Sequence, residues 1–232
     1  MDKNRATTSV RSFDPAFLFD LDGTLIDTAY EHTYAWSLAL KSAGISIPDW
    51  KIHRRIGMSG QSLLRQVFRE HGSRGRKMNL QKLEEKHAHF FNQRIRQIQP
   101  LPGAEKLLRH LSRLRVPWAI ATTGGEDQTK KLLSVLSIPA GAKVVTGDDV
   151  EKAKPSPEIF VSAAEKLGVP IDHCIVVGDS IWDMLAAGRR RALGVGVLCG
   201  GYSQAELEEA GAFRVYSDPA DMLEHIEDLG LV

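Results

Sequence analysis

Two aspartates, Asp20 and Asp22, end an apolar run in the stretch FLFDLDGTLIDT. Residues two apart in a strand point the same way, so both carboxylates are expected to leave the end of this segment together. Desolvation and mutual repulsion disfavour such a pair in an ordinary core. A divalent cation would compensate them, and carboxylate oxygens suit Mg²⁺. The simpler interpretation is that Asp20 ends a strand and Asp-Gly-Thr forms a turn, since Asp and Gly are common turn residues.

Further polar residues follow apolar segments later in the chain, namely Thr122, Thr123, Lys154, Asp179 and Asp183. Most have an ordinary structural explanation. A threonine before glycine can cap a helix or lie in a loop, and a lysine beside a helix start usually faces solvent. Ser180 with Asp183 three residues later resembles a capping box. Asp179, at the end of the apolar stretch CIVVGD, has no such explanation.

The segments that carry these residues alternate between strand and helix patterns. Short β-branched runs occur at 16–20, 117–122, 143–147, 174–179 and 194–199, with helical patterns of about ten residues between the later ones. This alternation predicts an α/β protein with a doubly wound, parallel, Rossmann-like sheet and helices on both faces. Ligands bind such sheets outside the carboxyl ends of the strands. The candidate residues are therefore expected to converge at that edge.

One stretch breaks the alternation. Residues 29–98 carry long helical patterns and no convincing strand, which predicts an all-helical unit inserted after the first strand. The sheet-forming core is then built from 14–28 and 99–232. Residues 1–13 are polar and predict a flexible N-terminal tail.

Charge and cysteine content limit the class of partner. Thirty lysines and arginines stand against 29 aspartates and glutamates, a formal charge of +1, so neither a nucleic acid nor an anionic membrane is indicated. No apolar run approaches the ~18 residues of a membrane helix, and no signal sequence is evident. The two cysteines suit a reducing compartment. A cytoplasmic monomer or small homo-oligomer with a small-molecule partner is expected.

Taken together, the motifs resemble those of the haloacid dehalogenase-like hydrolase superfamily, in the branch with a helical cap inserted after the first strand. The four motifs of that family match DLDGT at 20–24, then Thr122, then Lys154 in KPSPE, and finally GDSIWD with Asp179 and Asp183. Their order and spacing cover nearly the whole chain.

This resemblance implies a mechanism. Asp20 would attack phosphorus to form an aspartyl phosphate, while Asp22 would act as general acid and then as general base. Phosphoryl oxygens would be bound by Thr122 and Lys154. Thr123, just before Gly124, is a further candidate for this contact from its position at the end of the same apolar segment. Mg²⁺ would be held by Asp20, the backbone carbonyl of Asp22, Asp179 and, directly or through water, Asp183. The implied substrate is a small phosphorylated metabolite, such as a sugar phosphate or phosphoglycolate.

Three functions other than that of a phosphatase are to be considered. Dehalogenating relatives need neither the second aspartate nor the metal, so Asp22, Asp179 and Asp183 argue against that reaction. A β-phosphoglucomutase-like mutase is the nearest enzymatic rival, because His32 stands ten positions after Asp22 as in that enzyme. A non-catalytic phosphate-binding module is disfavoured, since it needs no pair of aspartates.

Within the predicted cap, the stretch RRIGMSG at 54–60 is a candidate for substrate contact. Gly57 and Gly60 would let a loop approach the core, and Arg55 could reach a polar or anionic substrate. A turn with solvated arginines is the equally simple alternative. His87 and His89 lie two positions apart on a helix, where they face different directions, so packing or surface roles are expected for them rather than a shared metal.

Overall fold

A computed structural model describes residues 15–71, 78–139 and 141–231 of the chain. The predicted tail, residues 1–13, lies outside the described residues.

A parallel sheet of six strands forms the centre of the fold, in the order β3-β2-β1-β4-β5-β6. The strands are β1 Ala16–Phe19, β2 Trp118–Ala121, β3 Lys143–Val145, β4 Cys174–Gly178, β5 Leu193–Val197 and β6 Ala212–Tyr216. The predicted α/β class and parallel sheet are confirmed. Strand β6 was missed, because it is an edge strand whose middle residues are exposed, so it lacks the continuous apolar run of the central strands.

Ten helices are present in the described part of the chain. They are α1 Ala29–Lys41, α2 Asp49–His53, α3 Gly60–His71, α4 Leu80–Arg94, α5 Ala104–Arg113, α6 Glu126–Leu133, α7 Glu158–Leu167, α8 Ile181–Gly188, α9 Gln204–Glu209 and α10 Pro219–Glu224. Helix α8 ends at Gly188, because the chain then turns to begin β5 at Leu193.

Alternate residues of β1 explain the two helical layers. Phe17 and Phe19 belong to the hydrophobic cluster that includes Leu107 of α5, whereas Leu18 belongs to a second cluster that includes Phe160 of α7. Successive strand side chains point to opposite faces, so the sheet is covered on both sides. This burial on both faces is the reason the central strands read as continuous apolar runs.

Helices α1 to α4 lie between β1 and β2, within residues 29–98, the helical insertion. No strand occurs among the described residues of this range. Its helices share a hydrophobic cluster of their own, built around Trp36, Leu40, Ile52, Leu64 and Leu83. The insertion also contacts the core, because Ala35 of α1 and Phe91 of α4 belong to the hydrophobic cluster that includes Phe17 and Phe19.

The chain leaves the core for the helical insertion and returns from it at one place. Ile26 and Pro100 form an antiparallel bridge. The N–H of Asp27 donates to the carbonyl of Gln99 at 3.0 Å, and the N–H of Leu101 donates to the carbonyl of Leu25 at 2.9 Å. The two connecting segments are therefore tied together a few residues beyond β1.

A second contact joins the insertion to the core beyond β5. The side chain of Arg54 pairs with Glu206 and lies 4.1 Å from the ring centroid of Tyr202. Tyr202 donates its hydroxyl proton to the carbonyl of Arg54 at 2.9 Å. His53 Nε2 lies 2.7 Å from the carbonyl oxygen of Gly200. These contacts hold the insertion to the core at a place separate from the Ile26–Pro100 bridge.

Across the described ranges, no helix is both long and apolar enough to cross a bilayer. Cys174 is buried, Cys199 is partly buried, and both are free thiols.

Candidate active site

Three adjacent strands bring separate motifs to one edge of the sheet. Asp20 follows β1, Thr122 follows β2 and Asp179 follows β4, and these strands are neighbours in the order β2-β1-β4. Because the strands are parallel, their carboxyl ends lie together. Lys154, just before α7, and Asp183, in the first turn of α8, reach the same point from the helices. The predicted convergence is observed.

Lys154 lies between two carboxylates. Its Nζ is 2.5 Å from Oδ1 of Asp20 and 2.8 Å from Oδ1 of Asp183, and all three side chains are buried. Burial raises the pKa of Asp20 to about 7, and the charge of Lys154 opposes that rise. Burial also works against the charge of Lys154, but Asp183 and Asp20 outweigh it and hold the pKa of Lys154 above its usual range. Lys154 is therefore a buried, charged ammonium and not a solvent-facing lysine.

Asp183 both caps helix α8 and faces the carboxylate site, the two roles considered for it in the sequence analysis. Its Oδ2 accepts hydrogen bonds from the backbone N–H of Ser180 at 3.2 Å and from the Ser180 hydroxyl at 2.6 Å, which completes a capping box at the start of α8. Its Oδ1 faces Lys154. The cap fixes the side chain so that its second oxygen points into the site.

Asp20, Asp179 and Asp183 could together hold a metal ion. Each offers a carboxylate oxygen, and these oxygens lie within 4.8 Å of one another. Asp179 accepts a hydrogen bond from the Thr24 hydroxyl at 3.1 Å. Burial, followed by the charges of Asp183 and Asp20, raises the pKa of Asp179 well above its usual range. One ammonium group does not neutralise the negative charge of three buried carboxylates. An all-oxygen donor set of this kind fits Mg²⁺.

Asp22 has a different environment from Asp20. Its Oδ1 accepts from the Thr28 hydroxyl at 2.8 Å and lies 3.0 Å from Nε2 of His32, and its Oδ2 accepts from the Thr122 hydroxyl at 3.2 Å. Burial would raise the pKa of Asp22, but the charge of His32 and these hydrogen bonds together lower it. Two carboxylates two residues apart therefore have pKa values shifted in opposite directions, which is the pattern expected when two acids take different roles.

His87 is a site residue that the sequence did not indicate. Its Nε2 lies 3.0 Å from Nδ1 of His32, and its ring stacks on Trp36 with the centroids 4.2 Å apart. Burial, followed by the charge of His32, lowers the pKa of His87 well below its usual value. His89, by contrast, is exposed and lies 3.0 Å from the Gln93 amide. The two histidines do face different directions, as predicted, but His87 belongs to a buried chain that ends at Asp22.

A cavity of about 250 Å³ opens over Asp20 and Asp22. Thr123, Gly124 and Gly125 line it from the core. The helical insertion lines the other side with His32, Trp36, Ile56, Met58, Gly60, Leu63, Glu84 and His87. The insertion therefore covers the edge of the sheet where the carboxylates lie.

The predicted substrate loop, residues 54–60, approaches the core at Gly57 but not at Arg55. Gly57 has φ 96°, and a Cβ there would lie 2.8 Å from the hydroxyl oxygen of Ser180. The Thr123 hydroxyl donates to the carbonyl of Gly57 at 3.4 Å. The side chain of Arg55 instead pairs with Glu70 and is not among the residues that line the cavity. The expectation that Arg55 reaches a substrate is not met, because an acidic partner on α3 turns it away.

Known proteins share this architecture and its motifs. A family model described as haloacid dehalogenase-like hydrolase matches residues 15–189. The chain belongs to the haloacid dehalogenase-like hydrolase family.

Individual relatives cover most of the chain. Hexitol phosphatase A of Escherichia coli strain K12 is 31% identical over 74% of this chain and 79% of that protein. A phosphoglycolate phosphatase of Agrobacterium fabrum is 27% identical over 82% of this chain and 83% of that protein. The crystal structure of a hydrolase from Pseudomonas syringae is 46% identical, with a TM-score of 0.89, over 93% of this chain and 99% of that chain. The first two of these relatives are named for different phosphate esters, so family membership alone does not select a substrate.

Proposed function

We propose that this protein is a Mg²⁺-dependent phosphatase that hydrolyses a small phosphorylated metabolite through an aspartyl-phosphate intermediate. The observation that carries the proposal is the contrast between Asp20 and Asp22. Asp20 touches a buried ammonium, Asp22 is held by three hydrogen-bonding side chains, and both face one cavity. A binding module would need neither this pair nor the difference between its members.

Asp20, Asp179 and Asp183, with the backbone carbonyl of Asp22, are the proposed magnesium ligands. When bound, Mg²⁺ would offset the charge of the carboxylates and of the phosphoryl oxygens. Lys154 contributes a fixed positive charge on the same side, which reduces repulsion between Asp20 and a dianionic phosphate.

In the first half of the reaction, a carboxylate oxygen of Asp20 forms a bond to phosphorus as the bond to the leaving oxygen breaks. Asp22 gives a proton to that leaving oxygen. Without substrate the pKa of Asp22 is lowered, so Asp22 must take up this proton from solvent as the phosphate binds. A neighbouring anion raises the pKa of a carboxyl group, so the charge of the bound phosphate would itself cause Asp22 to become protonated.

In the second half, Asp22 takes a proton from a water molecule that attacks the phosphoryl group. The bond between Asp20 and phosphorus breaks, and inorganic phosphate leaves. The ionised form of Asp22 that its hydrogen bonds favour is the form this step requires. Thr122 is proposed to hold a phosphoryl oxygen, since its hydroxyl contacts Asp22 and accepts from the N–H of Gly124 at 3.1 Å. Thr123 has the same proposed role at the cavity wall.

A phosphosugar mutase is the second candidate, favoured by the 3.0 Å contact between His32 and Asp22. A mutase returns the phosphoryl group to a second sugar hydroxyl instead of to water. Conversion of β-glucose 1-phosphate to glucose 6-phosphate, without net release of phosphate, would identify it.

Release of p-nitrophenol from p-nitrophenyl phosphate tests the hydrolase, in the presence of Mg²⁺ and after its removal with EDTA. We expect turnover only with the metal, and a loss of at least about 10³-fold in kcat for Asp20→Asn. Asp27→Asn is the matched control, because Asp27 is an exposed aspartate seven residues further along. Full turnover by Asp20→Asn, or none by the wild type with Mg²⁺, would reject the proposal.

A further inference from the structure

The part of the cavity that would receive the organic group of a substrate has an unusual charge distribution. Beyond Asp20 and Asp22, its lining includes Glu84 of α4 and Gln128 of α6, but the described lining residues include neither lysine nor arginine. His32 is engaged with Asp22, and the pKa of His87 is well below its usual value. A second anionic group on the substrate would therefore meet the carboxylate of Glu84 and no lysine or arginine, while His32 already faces Asp22.

Glu84 is held in place at this wall. Its Oε2 accepts from the Gln61 amide at 3.5 Å, and a Cβ at Gly60 would lie 2.8 Å from its Oε1. The same added Cβ would lie 2.9 Å from Cζ2 of Trp36. The missing side chain at position 60 thus lets a carboxylate and an indole ring lie side by side on the cavity wall.

The space leading outward from this wall does not supply a net positive charge either. A neighbouring cavity of about 590 Å³ shares Gly60 and Glu84 with the first one. Its described lining contains the two cations Arg65 and Lys152. Against these it contains three carboxylates, Glu84, Asp148 and Glu151. An anionic substrate group could not be drawn inward by this mixed surface.

We infer that the site takes phosphate monoesters of uncharged polyols, and that Glu84 excludes esters whose organic group carries a carboxylate or a second phosphate. This inference rests on the proposed phosphatase function. Hydroxyl groups would donate to Glu84 and to the amide oxygen of Gln128, while C–H groups pack against Trp36, Ile56 and Leu63.

Two matched substrate pairs test the inference at pH 8, which favours the carboxylate form of Glu84. Glycerol 3-phosphate and 3-phosphoglycerate differ by one CH₂OH in place of a carboxylate, and glucitol 6-phosphate and 6-phosphogluconate differ in the same way. In the pair whose polyol ester is hydrolysed faster, we expect the kcat/KM of the wild type to be at least tenfold higher for the polyol ester than for the carboxylate ester. Glu84→Gln should reduce that ratio at least threefold.

Glu85→Gln is the matched control, since Glu85 is the next residue of α4, has the same charge and is exposed. It should keep the wild-type ratio. Three results would overturn the inference. The first is a wild-type preference for the carboxylate esters, and the second is an equal ratio in Glu84→Gln and Glu85→Gln. The third is turnover of p-nitrophenyl phosphate without turnover of either polyol ester. Absence of turnover on every ester, including p-nitrophenyl phosphate, would instead reject the phosphatase proposal and the inference with it.

Discussion

Nδ1 of His32 and Nε2 of His87 lie 3.0 Å apart, which links a histidine of α1 to a histidine of α4 in the wall of the cavity. An ionised carboxylate only accepts hydrogen bonds, so Nε2 of His32 carries the proton shared with Asp22. The orientation of His32 is then fixed at both nitrogens. Stacking of Phe91 on the His32 ring, with the centroids 4.1 Å apart, restricts it further.

His87→Phe keeps an aromatic ring against Trp36 but removes the partner of His32. We expect kcat to fall roughly tenfold, less than the ~10²-fold or more that follows loss of a general acid itself, with KM little changed. The unpaired nitrogen of His32 should also cost about 1–3 kcal/mol of unfolding free energy. Steady-state kinetics and urea unfolding measure the two effects. His89→Phe, on the exposed face of α4, should change neither, and equal kinetic effects of both substitutions would contradict the positioning role.

Magnesium should stabilise the folded protein through the three buried carboxylates. At a concentration near 100 Kd, we expect about 2.7 kcal/mol of stabilisation and a rise in Tm of roughly 5–10 °C, measured by calorimetry against an EDTA sample. Asp179→Asn should remove this rise while keeping the metal-free Tm, because the lost group is a buried and undercompensated charge. Asp172→Asn, at an exposed aspartate before β4, should respond like the wild type. A normal magnesium shift in Asp179→Asn would exclude Asp179 as a ligand.

Lys154→Met should destabilise the protein strongly. It leaves Asp20 and Asp183 buried without their ammonium, and breaking a buried ion pair on one side costs about 3–5 kcal/mol. Lys152→Met removes the same charge from an exposed residue, whose Nζ is 3.7 Å from Oε1 of Glu158. Surface pairs of this kind contribute about 0–1 kcal/mol. Urea unfolding of the two metal-free variants compares them directly, and similar losses would show that Lys154 is not the compensating charge.

The contact between Arg54 and Glu206 should weaken in acid. Hydrogen bonding from the backbone N–H of Ser203, followed by Arg54, lowers the pKa of Glu206 from 4.5 to about 2. A lowered pKa in the folded state means that this stabilisation is complete above about pH 4.5 and is lost as the pH falls towards 2. Glu206→Gln should therefore lower the unfolding free energy by up to about 1 kcal/mol at pH 6.

The difference between Glu206→Gln and the wild type should shrink at pH 3, as measured by urea unfolding at both pH values. Glu209→Gln, at an exposed glutamate of the same helix, should match the wild type throughout. A difference that stays constant between pH 6 and pH 3 would mean that the ionisation of Glu206 does not contribute.

The sequence predicted those site residues that stand at the ends of buried strands. Asp20, Thr122 and Asp179 each follow an apolar run, and the parallel sheet then brings such ends together. The ranges of the central strands follow from the same runs. Local pattern was sufficient here because a doubly covered sheet leaves few choices for where polar groups can emerge.

Residues whose position depends on packing between helices were not predictable in this way. His87 and His89 have the same side-chain type, and only the packing of α4 against α1 places the first beside His32. Arg55 is turned from the cavity by Glu70, fifteen residues later on another helix. Glu84 could have been noticed only through its spacing of three residues from His87, which puts both on one face of α4.

The bridge between Ile26 and Pro100 has a mechanical consequence. Both connections of the helical insertion pass through this one tether, six residues beyond Asp20, so a rotation of the insertion would have its axis there. Displacement grows with distance from an axis, so Asp20 would stay nearly still while the more distant helices of the insertion moved further. A rotation of this kind would let the substrate enter and the product leave without disturbing the alignment of the reacting carboxylates.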